Sequence, residues 1–197
     1  MRAPMDPSER ATPENWMYPP WGGWTFNQVK DLWLPFDWEM HDGVISVRPQ
    51  TTYWHDMVRD ELFFVLREAW GGAPHSMRLT RRVSVGDRTL IRPDIVVSHE
   101  RGPDTESLAT PVRNVALVVE VVAPESRTED RYRKPGLLAA AGLPHYWRVE
   151  RGEDGLPVVH EYAGGASGWE RWTEHRGTLA TDGPFPVEIP LRRLVER

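Results

Sequence analysis

Apolar positions recur along the chain with two periods, and these divide it into helices and strands. Trp54, Met57, Val58, Leu62, Val65, Leu66 and Ala69 repeat at three and four residues, with Asp56, Arg59, Asp60 and Arg67 between them. This pattern predicts an amphipathic helix over 52–70, with Gly71-Gly72 as its stop. Trp38 to Val47 reads as two short alternating segments about Asp42-Gly43, a dipeptide suited to a two-residue hairpin. Residues 79–98 read as two strands joined near Gly86-Asp87, the second leading into Asp94-Ile95-Val96-Val97. Residues 115–122, VALVVEVV, form a continuous apolar run, as in a central strand covered on both faces. A helix is predicted over roughly 127–141, with Gly142 at its end and Pro144 beyond. Pro135-Gly136 inside it predicts a kink or a split. His145 to Glu150 is a further strand. Hairpin signals follow at 152–155 and 164–168, and Val187 to Leu191 alternates again. A short helical stretch from Asn27 to Leu34 ends at Pro35.

The 197 residues fit one domain with a tail. Residues 1–22 hold Pro4, Pro7, Pro13, Pro19 and Pro20 and almost no aliphatic side chain, so they read as a flexible or loosely docked arm before a single domain over 23–197. A hydrophobic share of 40% and a charged share of 27% are ordinary for a globular chain. No window holds the ~18 apolar residues of a spanning helix, and the first ten residues lack the apolar core of a secretory signal. With no cysteine, disulfides, thiolate zinc sites and a cysteine nucleophile are all excluded, and a cytoplasmic location is the default expectation. Net charge is -5, so a polyanion would need a local basic patch. Arg78, Arg81, Arg82, Arg88 and Arg92 are candidates for such a patch. Trp16, Trp21, Trp24, Trp33 and Trp38 crowd the N-terminal fifth, where packing of the arm against the domain is expected rather than stacking on bases. Only two of the 24 cationic residues are lysines, Lys30 and Lys134, and lysine is the cation that can give up a proton.

Glu120 is the most informative single residue, because it interrupts the apolar run between Val119 and Val121. A buried carboxylate there must be paired with a base, protonated or bound to a metal. Asp94 enters the neighbouring apolar strand, and strand ends at loops are where sites are built. Two carboxylates on adjacent strands can converge on a hard cation such as Mg²⁺, with the Val121 carbonyl as a third oxygen. Asp130 and Lys134 stand four apart on the following helix, either as a surface ion pair or with that face turned towards Glu120. There is no phosphate-binding glycine loop and no nucleophile elbow.

Pro93-Asp94, Glu120-Val121-Val122, the run from Ala123 to Lys134, and Ala141 to Trp147 together resemble the Uma-two family of restriction-endonuclease-like proteins in the PD-(D/E)XK nuclease superfamily. The likeness spans about residues 25–193 and extends to Trp38–Ile45, with Glu39 and the Asp-Gly turn, and to His55. It implies an α/β, restriction-endonuclease-like core: a central mixed sheet flanked by helices, with additional β-hairpins. It further implies Mg²⁺, with Mn²⁺ as substitute, held by Asp94, Glu120 and Val121. Asp94, Glu120 and Lys134 would be the catalytic residues, Lys134 adding a hydrogen-bond donor and a positive charge beside the metal, with Glu39, His55 and Asp130 in support. The superfamily places lysine two residues after the second acid, where this chain has Val122, so Lys134 inherits that role. Ala123, Met40 and His41 also depart from the family pattern, without removing a ligand. The expected activity is divalent-metal-dependent hydrolysis of nucleic-acid phosphodiester bonds, DNA first, by a chain that can work as a homodimer and has no membrane partner. A nuclease-fold binding or regulatory module without turnover is the alternative.

Overall fold

The computed structural model describes residues 9–70, 76–99, 106–165 and 167–196. In chain order the elements are α1 (Phe26–Val29), β1 (Trp38–His41), β2 (Val44–Val47), α2 (Tyr53–Ala69), β3 (Ser76–Leu79), β4 (Val83–Ser84), β5 (Leu90–Ile91) and β6 (Ile95–Ser98). They continue with β7 (Thr110–Pro111), β8 (Val115–Val121), α3 (Lys134–Ala140), β9 (His145–Arg151), β10 (Pro157–Gly165), β11 (Gly168–Arg176), β12 (Thr178–Thr181) and β13 (Val187–Pro190). The predicted helix over 52–70 is α2, opened by the Thr52 hydroxyl accepting the His55 N–H. Its expected Gly71-Gly72 stop lies outside the described residues.

The main sheet is mixed, in the order β11-β10-β9-β8-β6-β3, with β8 and β9 parallel and the other neighbours antiparallel. A second sheet runs β2-β1-β5-β4-β7, and β12 pairs with β13. All seven residues of β8 are buried, as its unbroken apolar run requires. From Leu117 onward its alternation sorts them between two cores, and a register shift against β6 between Val97 and Ser98 sets Val115 apart from that order. Leu117, Val119 and Val121 pack with Val58, Leu62 and Leu66 of α2, whereas Val115 and Val118 pack with Leu138 of α3. Glu120 shares the Val118 parity, so β8 turns its one charge towards the α3 side. Because Ile95 pairs with Val119, the same antiparallel register carries Asp94 to the level of Glu120.

Asp42 and Gly43 turn the β1–β2 hairpin with φ of 50° and 79°. Glycine is also demanded by space: a Cβ at Gly43 would lie 2.6 Å from the Gly23 Cα. The Trp24 N–H meets the Gly43 carbonyl at 2.8 Å, which ties the N-terminal segment to the hairpin. Of the expected arm, residues 1–8 lie outside the described residues. Residues 9–22 are held by Ala11 N–H to the Gln28 carbonyl, Trp24 Nε1 to the Trp16 carbonyl, and an Arg10–Asp31 ion pair. Trp24 and Trp38 are buried in that local core and Trp16 packs on it, but Trp21 and Trp33 stand out at 101% and 74% exposure.

Parts of the sequence reading need correction. Residues 79–98 do not form two strands; β3, β4, β5 and β6 divide between both sheets. Thr80 breaks the first strand with φ 48°, and Pro93, which has no N–H to donate to a ladder, separates β5 from β6. The helix expected over 127–141 forms as a continuous helical stretch over 127–140, with a π-turn set into it. A 3₁₀ turn at Pro124–Ser126 leads into a π-turn at Glu129–Arg133, closed by the Lys134 N–H on the Glu129 carbonyl, before α3 begins. Pro135 follows the π-turn directly, and the carbonyls of Asp130 and Arg131, which its missing N–H leaves open, accept the Tyr146 hydroxyl at 2.9 Å and Arg148 Nη1 at 3.5 Å. Asn27–Leu34 yields only the single turn α1.

Candidate active site

The π-turn decides where Lys134 points. Packing an extra residue into that turn rotates the start of α3, so both Asp130 and Lys134 are buried against the α3 face of β8. Lys134 Nζ, at 3% side-chain exposure, lies 2.8 Å from Glu120 Oε1, 3.1 Å from Asp130 Oδ1 and 3.2 Å from Glu39 Oε1. The pair four apart is therefore not a surface ion pair. Glu39 reaches the same ammonium from β1, and its Oε1 also accepts the Arg92 N–H at 2.7 Å.

Asp94 is anchored from the other side. Its Oδ2 accepts the Val121 N–H at 2.8 Å and lies 3.2 Å from His55 Nε2, while its Oδ1 receives Arg48 Nη2 at 3.2 Å. All seven residues expected at the site (Asp94, Glu120, Val121, Lys134, Glu39, His55 and Asp130) are thus brought together. Two neighbours carried no sequence signal. Arg48 follows β2 directly before Pro49. His41 Nε2 lies 3.4 Å from Glu39 Oε2, and only the alternation of β1, which puts residues 39 and 41 on one face, could have flagged it.

Four buried acids here face two permanent cations, Lys134 and Arg48, so the cluster is formally short of positive charge. The consequences differ by residue. Burial raises the Glu39 carboxyl, but Lys134, His41, Arg48 and the Arg92 N–H outweigh it and hold it far below the usual range. Burial likewise opposes ionised Asp94 and is overcome by His55, Arg48 and the Val121 N–H. Glu120 goes the other way. Burial, with Asp130 and Asp94 as like charges, pushes it well above the ordinary value despite Lys134. Lys134 keeps its proton: burial alone would lower it, yet Glu120, Glu39 and Asp130 raise it well above its normal value.

His55 has a carboxylate at each nitrogen, Asp94 at Nε2 and Asp56 at Nδ1, and these raise its pKa although burial lowers it. A raised imidazole pKa adds stability that is complete below the unfolded value near 6.5 and disappears as pH climbs through the folded one. Metal-free protein is therefore expected to lose urea resistance as pH rises through neutrality. His55→Gln should flatten that slope and cost about 1–3 kcal/mol on its acid side, as a buried oxygen short of its partner does.

The donors fit a hard dication. Asp94, Glu120 and the Val121 carbonyl supply oxygen only, and Mg²⁺ commonly takes one or two carboxylates and leaves its other positions to water and substrate. Glu129 Oε2 and Asp130 Oδ1 are buried with no hydrogen bond; the latter lies near Lys134 without alignment. Both residues line a cavity of about 190 Å³ shared with Lys134, Arg48, His55 and Val121, far above the ~10–15 Å³ a single water needs. Among the described residues no three His, Asp or Glu side chains surround a common point as a finished cage. The arginines expected on the adjoining hairpin are engaged internally: Arg81 on the Ser107 carbonyl, Arg82 over the Trp38 ring, Arg88 on the Asp42 carbonyl and Arg92 on Asp37. No helix among the described residues is long and apolar enough to cross a membrane.

A crystal structure of a "putative nuclease belonging to DUF820" from Anabaena variabilis superposes with a TM-score of 0.67 at 17% identity, covering 86% of this chain and 96% of that one. At that identity the match establishes the fold: a mixed α/β, nuclease-like architecture. No curated protein matches the sequence. The model of the Uma2 family, described as "Putative restriction endonuclease", matches residues 32–181, a span that includes Glu39, His55, Asp94, Glu120, Asp130 and Lys134. This chain, with most of its length inside that match, belongs to the Uma2 family.

Proposed function

We propose that the protein is a divalent-metal-dependent endonuclease that hydrolyses phosphodiester bonds in nucleic acid, with DNA as the first substrate to test. One observation carries the reading: a lysine ammonium 2.8 Å from a carboxylate buried in the central strand, level with a second buried acid on the neighbouring strand. Asp94, Glu120 and the Val121 carbonyl are the oxygens that would hold Mg²⁺ or Mn²⁺. The cation would bind a phosphoryl oxygen, lower the pKa of a water and stabilise the leaving oxygen. Lys134, held protonated by three acids, serves as a charge and hydrogen-bond donor near the phosphate and not as a proton acceptor. Glu39 and Asp130 aim the ammonium. His55 and the Val121 N–H fix the rotamer of Asp94 and leave Oδ1 facing Arg48. Cutting both strands of a duplex would call for two such sites, which a two-fold homodimer supplies.

Plasmid and oligonucleotide substrates, DNA and RNA, incubated with Mg²⁺ or Mn²⁺ are expected to be cut, and EDTA to stop the reaction. Absence of metal-dependent cleavage on all of them contradicts the proposal. A second reading, a nuclease-fold binding module without turnover, draws support from the acids already being engaged by Lys134 and Arg48 with no finished cage. That reading predicts no specific heat of Mn²⁺ binding.

A further inference from the structure

Arg48 stands where the proposed cation would have to compete. It leaves β2 with its backbone N–H fixed on the Asp37 carbonyl, so its side chain starts from a defined point. The guanidinium donates to Asp94 Oδ1 at 3.2 Å and lies 4.0 Å from Glu39 Oε1. Burial works against its charge, and the surrounding acids, with Asp94 in direct contact, outweigh that and raise its pKa. Asp94 Oδ2 is already committed to the Val121 N–H and His55, so Oδ1 is the oxygen open to a new partner, and Arg48 has it. Lys134 serves Glu120, Glu39 and Asp130; on the Asp94 side the cationic groups are Arg48 and His55 in contact and Arg59 farther off, which is ion-paired to Asp56 and Asp60. Unlike Lys134, Arg48 is not sealed in. Its side chain is 16% exposed and lines both the cavity that reaches Lys134 and a second one that reaches Asp94, forming part of the wall between them.

The geometry points to Arg48 as an internal competitor for the cation: it neutralises Asp94 in the metal-free protein and must release Oδ1 for a divalent ion to bind. This inference rests on the proposed function, since it presumes that a cation binds at these acids. A guanidinium and a dication held on the same carboxylate oxygen in a buried site repel each other strongly, so the ion binds more easily once the guanidinium has left. The exchange therefore weakens intrinsic metal affinity and frees an arginine at the mouth of the two cavities when metal arrives. Freed there, a planar guanidinium is suited to a phosphodiester oxygen, the charge that enters with the substrate. Arg48 is in this sense a positioning residue that couples metal occupancy to phosphate binding.

The test is calorimetric titration of the intact protein with Mn²⁺ alone, compared across wild type, Arg48→Met, Arg48→Gln and Arg48→Lys. Removing the competing charge should tighten Mn²⁺ binding by about tenfold or more in the Met and Gln variants, whereas Arg48→Lys stays near wild type. A purely structural arginine would give unchanged or weaker binding, and that result overturns the inference while leaving the proposed function standing. Absence of Mn²⁺ binding in every protein, wild type included, overturns both. Thermal melts guard against misfolding: in EDTA the neutral variants should melt below wild type, and Mn²⁺ should raise their melting temperature by more than it raises that of wild type. An equal rise in all four proteins also counts against the exchange.

Discussion

Lys134→Met is expected to destabilise the metal-free protein by about 3–5 kcal/mol at pH 7, the cost of leaving buried charge without its partner. Three acids share this ammonium within 3.2 Å, and methionine fills its volume while supplying none of its charge. The pH dependence follows from the directions of the shifts. The raised Lys134 pKa means its contribution is complete below about 10.5, the ordinary value, so it is fully present at neutrality. The depressed Glu39 carboxyl adds stability above its ordinary value near 4.5, which is lost as pH falls through the folded one. Without Lys134 much of that depression goes, so the gap between variant and wild type should narrow towards pH 4. Adding Glu120→Gln to Lys134→Met should restore little of the loss, since Glu120 is already disfavoured as an ion and the stranded charges are Glu39 and Asp130. Urea denaturation in EDTA at the two pH values measures all three. A Lys134→Met protein as stable as wild type at pH 7 would mean that the acids do not depend on this ammonium.

Glu120→Gln should separate function from stability. Cleavage is expected to drop by roughly 10³, the several kcal/mol of transition-state stabilisation lost with a metal ligand. Stability should move the opposite way or not at all. The Glu120 carboxyl is pushed well above its ordinary value, so its ionised form is disfavoured at neutral pH in the metal-free protein. Its burial therefore costs stability increasingly as pH rises above the ordinary value near 4.5 towards the raised one, and a neutral amide of the same shape relieves that cost at neutral pH. Loss of activity with unchanged or improved urea resistance marks a residue kept for chemistry at a cost to the fold. Were Glu120 only a structural partner of Lys134, the same substitution would lower stability and leave Mn²⁺ affinity intact. Side-by-side cleavage assays and melts distinguish the two outcomes.

Much of the scaffold could be read from patterning where one face or both faces of an element are buried. The VALVVEVV run became the fully buried β8, the three-and-four repeat became α2, and Asp42-Gly43 became the turn of the β1–β2 hairpin. Glu120 was conspicuous because a charge inside such a run must be paired, protonated or metal-bound, although the run alone does not say which. What stayed hidden depended on tertiary context. Division of 79–98 between two sheets turns on the backbone of Thr80 and on a proline whose effect is to change partners and not to end a strand. The π-turn that brings Lys134 under β8 adds one residue to a turn, and hydrophobic periodicity over so short a span does not resolve it. Arg48 left no trace because an arginine after a strand and before proline is ordinary. Only the register of three elements puts it on Asp94. Trp21 and Trp33 show the converse: aromatic side chains read as packing that the fold leaves exposed.

The central claim is that Asp94 and Glu120 are buried together because a divalent cation binds between them beside Lys134. Crystals soaked in Mn²⁺ and measured for anomalous scattering test it most directly. The account predicts one strong peak in contact with the Asp94 and Glu120 carboxylates and the Val121 carbonyl, with Lys134 still within hydrogen-bond reach of Glu120 and Arg48 withdrawn from Asp94 Oδ1. A peak elsewhere, or none while both acids keep their present partners, would contradict it.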